Sequence, residues 1–358
     1  LMDFYDGEKI PCMTITDHPR FRYRGIHLDV SRHFFDIGFL FKYAELASNY
    51  RFNVIHLHLT DDQGWRFESQ RYPKLNSISS TRSGTQTGPY SLQHFDSIGY
   101  GGLYTQYQLI NFAKDCYDVW GITVIPEIEM PGHSMAVMAA YPELSTTPNV
   151  TPNVPMTWGL NGVENNVFAP SEKSFSFLED VLNEVMSLFP SNMIHIGGDE
   201  CSKIWWKKDS LSQQLMREKG LKNEDELQSY FIKRMEKFAN SNGKKIIGWD
   251  EILEGGLAPN ATVQSWRGVE GAIAAVNSQH DAIVSPTSHC YFDYSLKSID
   301  LAKVYSFNPI PEGLEKEFEQ QQIADELRVD CRHLHRNWRH LRRQNHLRFV
   351  ENHLRFSV

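Results

Sequence analysis

The chain has 358 residues and 36 Lys and Arg against 44 Asp and Glu, a formal net charge of −8. An apolar share of 41% with 22% charged residues supports a large packed core and excludes disorder over most of the length. The acidic balance argues against nucleic acid as a main partner, no apolar run of about 18 residues offers a membrane span, and LMDFYDGEKI lacks the basic start and apolar core of a signal peptide. The cysteines at 12, 116, 201, 290 and 331 contain no CxxC pair, so they read as small buried hydrophobes rather than a zinc knuckle or disulfide framework.

Strand and helix alternate along the chain. Phe21 to Asp29 reads as a strand, Gly38 to Tyr50 as a helix and Asn53 to Thr60 as a strand, followed by a polar loop from Asn76 to Gly102. Tyr104 to Trp120 carries helical spacing at Leu109, Phe112, Ala113, Cys116 and Val119, before a strand at Ile122 to Glu129. A Pro- and Asn-rich loop, 141–168, separates that strand from a helix at Glu172 to Phe189. Next come a strand at Met193 to Gly198, a helix at Glu224 to Ser241 and a strand at Lys245 to Asp250. Thr262 to Trp266 is strand, Val269 to Ser278 helix and Ala282 to Ser285 strand. Repeated strand–helix units imply a parallel sheet, and eight of them close into an α/β (β/α)8 barrel with its chemistry at the carboxyl ends of the strands.

The polar residues obey that rule. Asp29, Ser31, Arg32 and His33 follow the first strand; His58, Asp61, Asp62 and Trp65 the second; Glu127, Glu129 and His133 the third; Asp199 and Glu200 the fourth. Trp249, Asp250 and Glu251, then Gln264 and Trp266, then Tyr291 and Asp293 complete the series. Acids, tryptophans and one arginine suit a sugar, whose hydroxyls need charged partners and whose apolar face needs an aromatic wall. The adjacent acids of HIGGDE are the most informative pair. Regular strand geometry points neighbours to opposite faces, but Gly197 and Gly198 permit a turn that brings both carboxylates to one pocket, where repulsion separates their proton affinities. The structural alternative is a helix N-cap by Asp199 or Glu200 ahead of KIWWKK.

RGIHLDVSRHFF, NVIHLHLTDDQGW, VIPEIEMPGH, HIGGDE, GWDE and VQSW, in that order, resemble the catalytic barrel of glycoside hydrolase family 20, the β-N-acetylhexosaminidases, from about Arg20 to Leu314. The resemblance implies hydrolysis of terminal non-reducing β-linked N-acetylhexosamine by a retaining mechanism in which the substrate's acetamido oxygen is the nucleophile, through an oxazolinium intermediate. It implies Glu200 as general acid, Asp199 as the anion orienting the acetamido group, and Tyr291 as a hydrogen-bond donor to the acetamido oxygen. Arg32 and Asp293 match binders of sugar hydroxyls, Asp61 and His133 orient the acidic pair, and Trp249 and Trp266 wall the acetamido pocket. The implied partners are N-acetylhexosamine-terminated oligosaccharides or glycoconjugates, without cofactor or metal, and the family's usual locations are exported or lysosomal. Duller readings stand beside these: His56 as a satisfied core histidine, Asp62 as a turn cap, Trp205 and Trp206 as helix packing, Glu127 and Glu129 as salt-bridge partners at the barrel rim.

Two competing classes remain. His56 and His58 have the HxH spacing of metal-dependent barrel hydrolases, but the fifth and sixth strands end in Trp249 and Trp266, which ligate nothing. The second is a carbohydrate-binding relative without turnover. Where the family pattern calls for an eighth strand with a Trp/Glu motif, this chain runs RHLHRNWRHLRRQNHLRFVENHLRFSV, with seven Arg and two acids from Val329 onward. That stretch resembles an out-of-frame or rearranged end, so the eighth strand reads as missing or replaced, and an open barrel exposes unpaired edges. The expected organisation is thus 1–19 as the remnant of a link from an N-terminal α/β domain, 20–328 as the catalytic barrel and 329–358 as an atypical Arg/His-rich tail.

Overall fold

The computed structural model describes residues 17–314 apart from 89, 158–164, 295–296 and 313. Its contacts separate Tyr23–Glu315 from a second unit made of both chain ends, of which only residues 17–22 are described. The Arg/His-rich tail, 329–358, where the eighth strand is expected to be missing or replaced, lies outside the described residues, as does most of the 1–19 link.

Tyr23–Glu315 holds one sheet of seven parallel strands in chain order. They are β1 Gly25–Asp29, β2 Val54–His58, β3 Thr123–Glu127, β4 Met193–His195, β5 Lys245–Trp249, β6 Thr262–Ser265 and β7 Ala282–Val284. Helices α1 Ile37–Asn49, α2 Gln106–Trp120, α3 Glu172–Leu188, α4 Glu224–Ser241 and α5 Glu270–Asn277 alternate with them. Among the described residues these are seven strands of a (β/α)8 barrel, and each of the seven expected strands and five expected helices is present with its ends within a few residues of the expected ones. Each start is set locally. Asp36 accepts from the Phe39 amide at the head of α1, Thr105 and Gln108 form a capping box at α2, and Asn223 caps α4, whose first turn carries Glu224, Asp225 and Glu226.

Alternation along the strands divides the core in two. On β2, Ile55 and Leu57 join the main cluster with Leu40 and Ala44 of α1 and Leu109 and Phe112 of α2. Val54 points the other way, forming a small inner cluster with Ile125 and Ile247 and, around them, Tyr23, Met193 and Ile283. His56 and His58 share Val54's face, so the barrel interior turns from apolar to ionisable toward the carboxyl ends of the strands. On α2, Leu109, Phe112, Ala113 and Cys116 are buried as their spacing predicts, whereas Val119 in the last turn faces solvent. The polar loop 76–102 has internal order: a π-helical turn at Leu75–Ser79 precedes an antiparallel pairing of Thr81–Arg82 with Tyr100–Gly101. Buried Arg66 pins this loop, donating to the carbonyls of Ser31, Ser80 and Gly102.

Candidate active site

The site begins where β1 ends. Asp29 Oδ1 accepts from the backbone amides of Ser31 and Arg32, both at 2.9 Å, a tight turn that swings Arg32 across the mouth of the barrel. The Arg32 guanidinium donates to Asp29 Oδ2 at 3.0 Å, lies 2.7 Å from Asp61 Oδ2 and reaches Gln63 Oε1 at 3.1 Å. Burial opposes its charge, but Asp61 and Asp29 outweigh burial and hold it firmly protonated. Arg82 in turn donates to the Arg32 carbonyl at 3.0 Å, which ties the polar loop to the site.

Asp61 is shared between cations. Its Oδ1 lies 3.2 Å from His133 Nδ1, and its Oδ2 lies 2.7 Å from His58 Nε2. Burial would raise this carboxyl, but Arg32 and His133 overcome it and hold Asp61 well below the usual range. The opposite nitrogen of His133 faces the acidic pair, 3.5 Å from Asp199 Oδ2 and 3.4 Å from Glu200 Oε2. Burial depresses the His133 imidazole, yet Asp61 and Asp199 raise it well above the ordinary histidine value. Asp62 is no turn cap for its own segment: it accepts from the Met135 amide at 2.9 Å, fixing the turn that carries His133.

The glycines perform the predicted turn. Gly197 and Gly198 have φ of 65° and 94°, and Glu200 itself sits at 43°. Trp249 N–H donates to the Gly197 carbonyl at 2.8 Å and Gln228 of α4 to that of Gly198 at 2.7 Å. Both carboxylates therefore face one imidazole, and neither caps a helix; Ser202 precedes the short helix Lys203–Lys208. Their environments differ. Asp199 is 17% exposed at its side chain and Glu200 58%. Burial, with Glu127 and Asp61, pushes the Asp199 carboxyl up, whereas His133 beside Glu200 pulls that carboxyl down. The two shifts run in opposite directions, upward at Asp199 and downward at Glu200.

Below this pair lies a second ionisable layer. Glu127 is wholly buried inside the barrel rather than at its rim. Its Oε2 receives His58 Nδ1 and its Oε1 the Trp249 indole at 2.9 Å, with His195 Nδ1 2.8 Å away. His56 is buried as expected, but its Nε2, 3.0 Å from Glu127 Oε2, is out of line for a hydrogen bond, so it is not a satisfied core histidine. Burial pushes it down to about 3. Glu129, also interior, is pushed well above the ordinary range by burial and by Asp199 and Glu127.

The other wall comes from β6 and β7. Trp266 donates its indole N–H to Glu251 Oε2 at 2.9 Å and stacks on Tyr291 with centroids 6.3 Å apart. Burial pushes Glu251 up to about 8. Tyr291 follows the helical turn Thr287–Cys290; burial raises its hydroxyl, with Asp199 and the exposed Asp293 adding to the effect. Trp249 is enclosed among His27, His56 and His195 rather than standing as an open wall. Trp206 packs as predicted, buried with its indole on the Phe168 carbonyl.

Among the described residues, four sets of side chains bring possible metal-ligand atoms within 4.8 Å of one another: His27/His58/Glu127, His56/Glu127/His195, His58/Asp61/Glu129 and Asp61/Asp62/His133. The histidine–carboxylate pairing itself creates these sets, so spacing alone does not make them metal centres. Sequence reading passed over Gln63, Arg66 and Arg82, which hold Arg32 and its loop; single polar residues in irregular segments carry no periodic signal. His58 stood out as a strand-end polar in an HxH spacing and Glu127 as a rim salt-bridge partner, neither of which showed that the two meet.

A parallel α/β barrel with a carboxylate–histidine–carboxylate cluster at its strand ends defines the architecture of a barrel hydrolase. The model of "Glycosyl hydrolase family 20, catalytic domain" matches residues 21–330, and the chain belongs to that family. A β-hexosaminidase of Porphyromonas gingivalis is 45% identical over 322 residues, covering 85% of this chain and 39% of that protein. One from Akkermansia muciniphila is 34% identical, covering 87% of this chain and 63% of its own length. The chain thus spans less than two thirds of either relative. A crystal structure of a β-N-acetylhexosaminidase superposes with a TM-score of 0.78 at 32% identity, covering 88% of this chain and 67% of that one. The exo-β-N-acetylglucosaminidase of Vibrio harveyi, in complex with N-acetylglucosamine, gives 0.75 at 31% identity, covering 85% and 49%.

Proposed function

We propose that this chain is the catalytic barrel of a glycosidase that removes terminal non-reducing β-linked N-acetylhexosamine by a retaining, substrate-assisted route. The observation that carries the reading is the convergence of Asp199 and Glu200 on His133, one carboxylate buried and the other exposed to an incoming sugar. Support comes also from the relatives named β-hexosaminidase.

In this reading Arg32 binds hydroxyls of the terminal sugar, and Asp29, Asp61 and Gln63 fix the plane of its guanidinium. Asp199 Oδ1, buried and without a hydrogen-bond partner among the described residues, accepts from the acetamido N–H. Tyr291 donates to the acetamido oxygen, Trp266 flanks the acetamido group and Asp293 takes a hydroxyl. The acetamido oxygen then attacks the anomeric carbon while Glu200 protonates the leaving oxygen; Glu200 next takes a proton from the water that opens the oxazolinium ring. The low proton affinity of Glu200 suits the second step. For the first, the sugar that covers Glu200 displaces its solvent, and loss of solvent raises a carboxyl.

Sugar binding without turnover is the second reading, favoured by the open position of β7, whose Ala282–Val284 are only half-buried, and of exposed Asp293. Release of chromophore from an aryl N-acetyl-β-D-glucosaminide separates the two. Hydrolysis is expected, reduced about 10²- to 10⁴-fold in Glu200→Gln. No release by the unsubstituted chain, together with a raised melting temperature on adding a thiazoline mimic of the intermediate, would establish binding alone.

A further inference from the structure

Between the acidic pair and the barrel floor the ionisable groups form one alternating line. Glu127 Oε2 meets His58 Nδ1; His58 Nε2 meets Asp61 Oδ2 at 2.7 Å; Asp61 Oδ1 meets His133 Nδ1 at 3.2 Å; His133 Nε2 faces Asp199 and Glu200. A neutral imidazole carries one N–H, yet both nitrogens of His58 face carboxylate oxygens, and Asp61 and Glu127 are both held below their ordinary values, so with both carboxyls ionised the imidazolium satisfies this geometry. Resting on the glycosidase reading above, we propose that Glu127 is a positioning residue for the reaction. From inside the barrel it holds His58 as an imidazolium, and that charge partly neutralises Asp61 and so sets how strongly His133 is held protonated between Asp199 and Glu200.

The surroundings are consistent with that role. Glu127 is faced by Tyr23, by His27 of β1, by His56 and His58 of β2, by His195 of β4, by Trp249 of β5, and at longer range by Asp199 and Tyr291. His58 is faced by Asp29, Asp61 and Glu129, and by Arg32, whose Nη1 lies 3.3 Å from Nε2. Burial opposes a charge on His58, but Glu127 and Asp29 outweigh burial and raise it well above the ordinary value. At His56 the balance is the reverse: burial, with His195 and His27, outweighs the same carboxylate and pushes it down. Trp249 hangs from the other oxygen of Glu127, so the same residue also orients a large aromatic ring.

Glu127→Gln tests the proposal because the amide keeps an acceptor for the Trp249 indole and removes the charge. Nitrogen-15 NMR of labelled histidines, with His58→Gln to assign the signal, is expected to show the His58 deprotonation midpoint falling by about one unit or more in Glu127→Gln. On the aryl glycoside, kcat/KM is expected to fall about 10- to 100-fold. The alkaline limb of its pH profile is expected to move upward, because Asp61, no longer shared with an imidazolium, holds His133 charged to higher pH. Glu127→Asp, which restores the charge, is expected to recover part of the rate and return the limb toward its original position. An unchanged His58 midpoint overturns the proposal. So does a fall in rate with an unmoved pH limb, which would make Glu127 merely structural. Should Glu127→Gln give no cooperative melt, His58→Gln carries the test, since it offers Asp61 a neutral donor: the limb must move the same way or the proposal fails. If the unsubstituted chain hydrolyses nothing, the glycosidase reading falls, while the NMR midpoint still decides what Glu127 does to His58.

Discussion

His133 Nδ1 sits 3.2 Å from Asp61 Oδ1, and this contact joins the second and third strand ends into one charged unit. Through its other nitrogen the same imidazole reaches the carboxylates that follow β4, so three successive strand ends share one ring. Stability, and turnover in the proposed reaction, are therefore tied to the protonation of that ring.

Folding stability follows the direction of each shift. His58 and His133 are raised in the fold, so their contribution is full below the ordinary value of 6.5 and is lost as pH rises through their folded values. Asp61 is lowered, so its contribution is full above 3.8 and is lost as pH falls through its folded value. Glu129 and Asp199 are raised, and they cost stability once pH exceeds their ordinary 4.5 and 3.8. The melting temperature is expected to peak in the acid half of the 3.8–6.5 window. Calorimetry in half-unit steps checks this; a maximum at alkaline pH would contradict it.

Arg32→Lys keeps the positive charge but loses the planar fork that spans Asp29, Asp61 and Gln63. A loss of about 10- to 100-fold in kcat/KM is expected, the scale of one hydrogen bond between charged groups, with little change in melting temperature. Steady-state kinetics on the aryl glycoside beside a thermal melt gives the answer, and a variant with normal kinetics would show that the fork is not used.

Gly197→Ala places a Cβ 1.8 Å from Glu129 Oε2 at a φ of 65°. Strain and overlap together are expected to destabilise the fold by about 1–3 kcal/mol and to displace both carboxylates from His133. Denaturant unfolding measures the first effect and residual turnover the second. Wild-type values for both would mean that the turn tolerates a side chain.

Trp249→Phe removes the indole donor from the buried Glu127 Oε1 while leaving most of the ring volume. Leaving a buried carboxylate oxygen short of a donor is expected to cost about 1–3 kcal/mol. Equal stability of variant and parent in denaturant would show that His195 Nδ1, 2.8 Å from that oxygen, suffices alone.

The barrel was legible because its signals are local. Five-residue apolar strands such as Val54–His58, capped helices such as Gln106–Trp120 and the Gly197–Gly198 turn each follow from residues within a few positions of one another. The family motifs likewise placed Arg32, Asp61, His133, Asp199 and Glu200 at strand ends, where all five converge. What sequence could not supply was pairing across distance. Glu127 meets His58 over 69 residues and Trp249 over 122, and Arg82 reaches Arg32 over 50. Nor could it supply the order of proton affinities, because burial and neighbouring charge set that, and both arise only when separate strands close around one interior. The sequence by itself determined which groups stand at the strand ends; the tertiary structure decided which of them are buried, which pair with one another and which stay exposed.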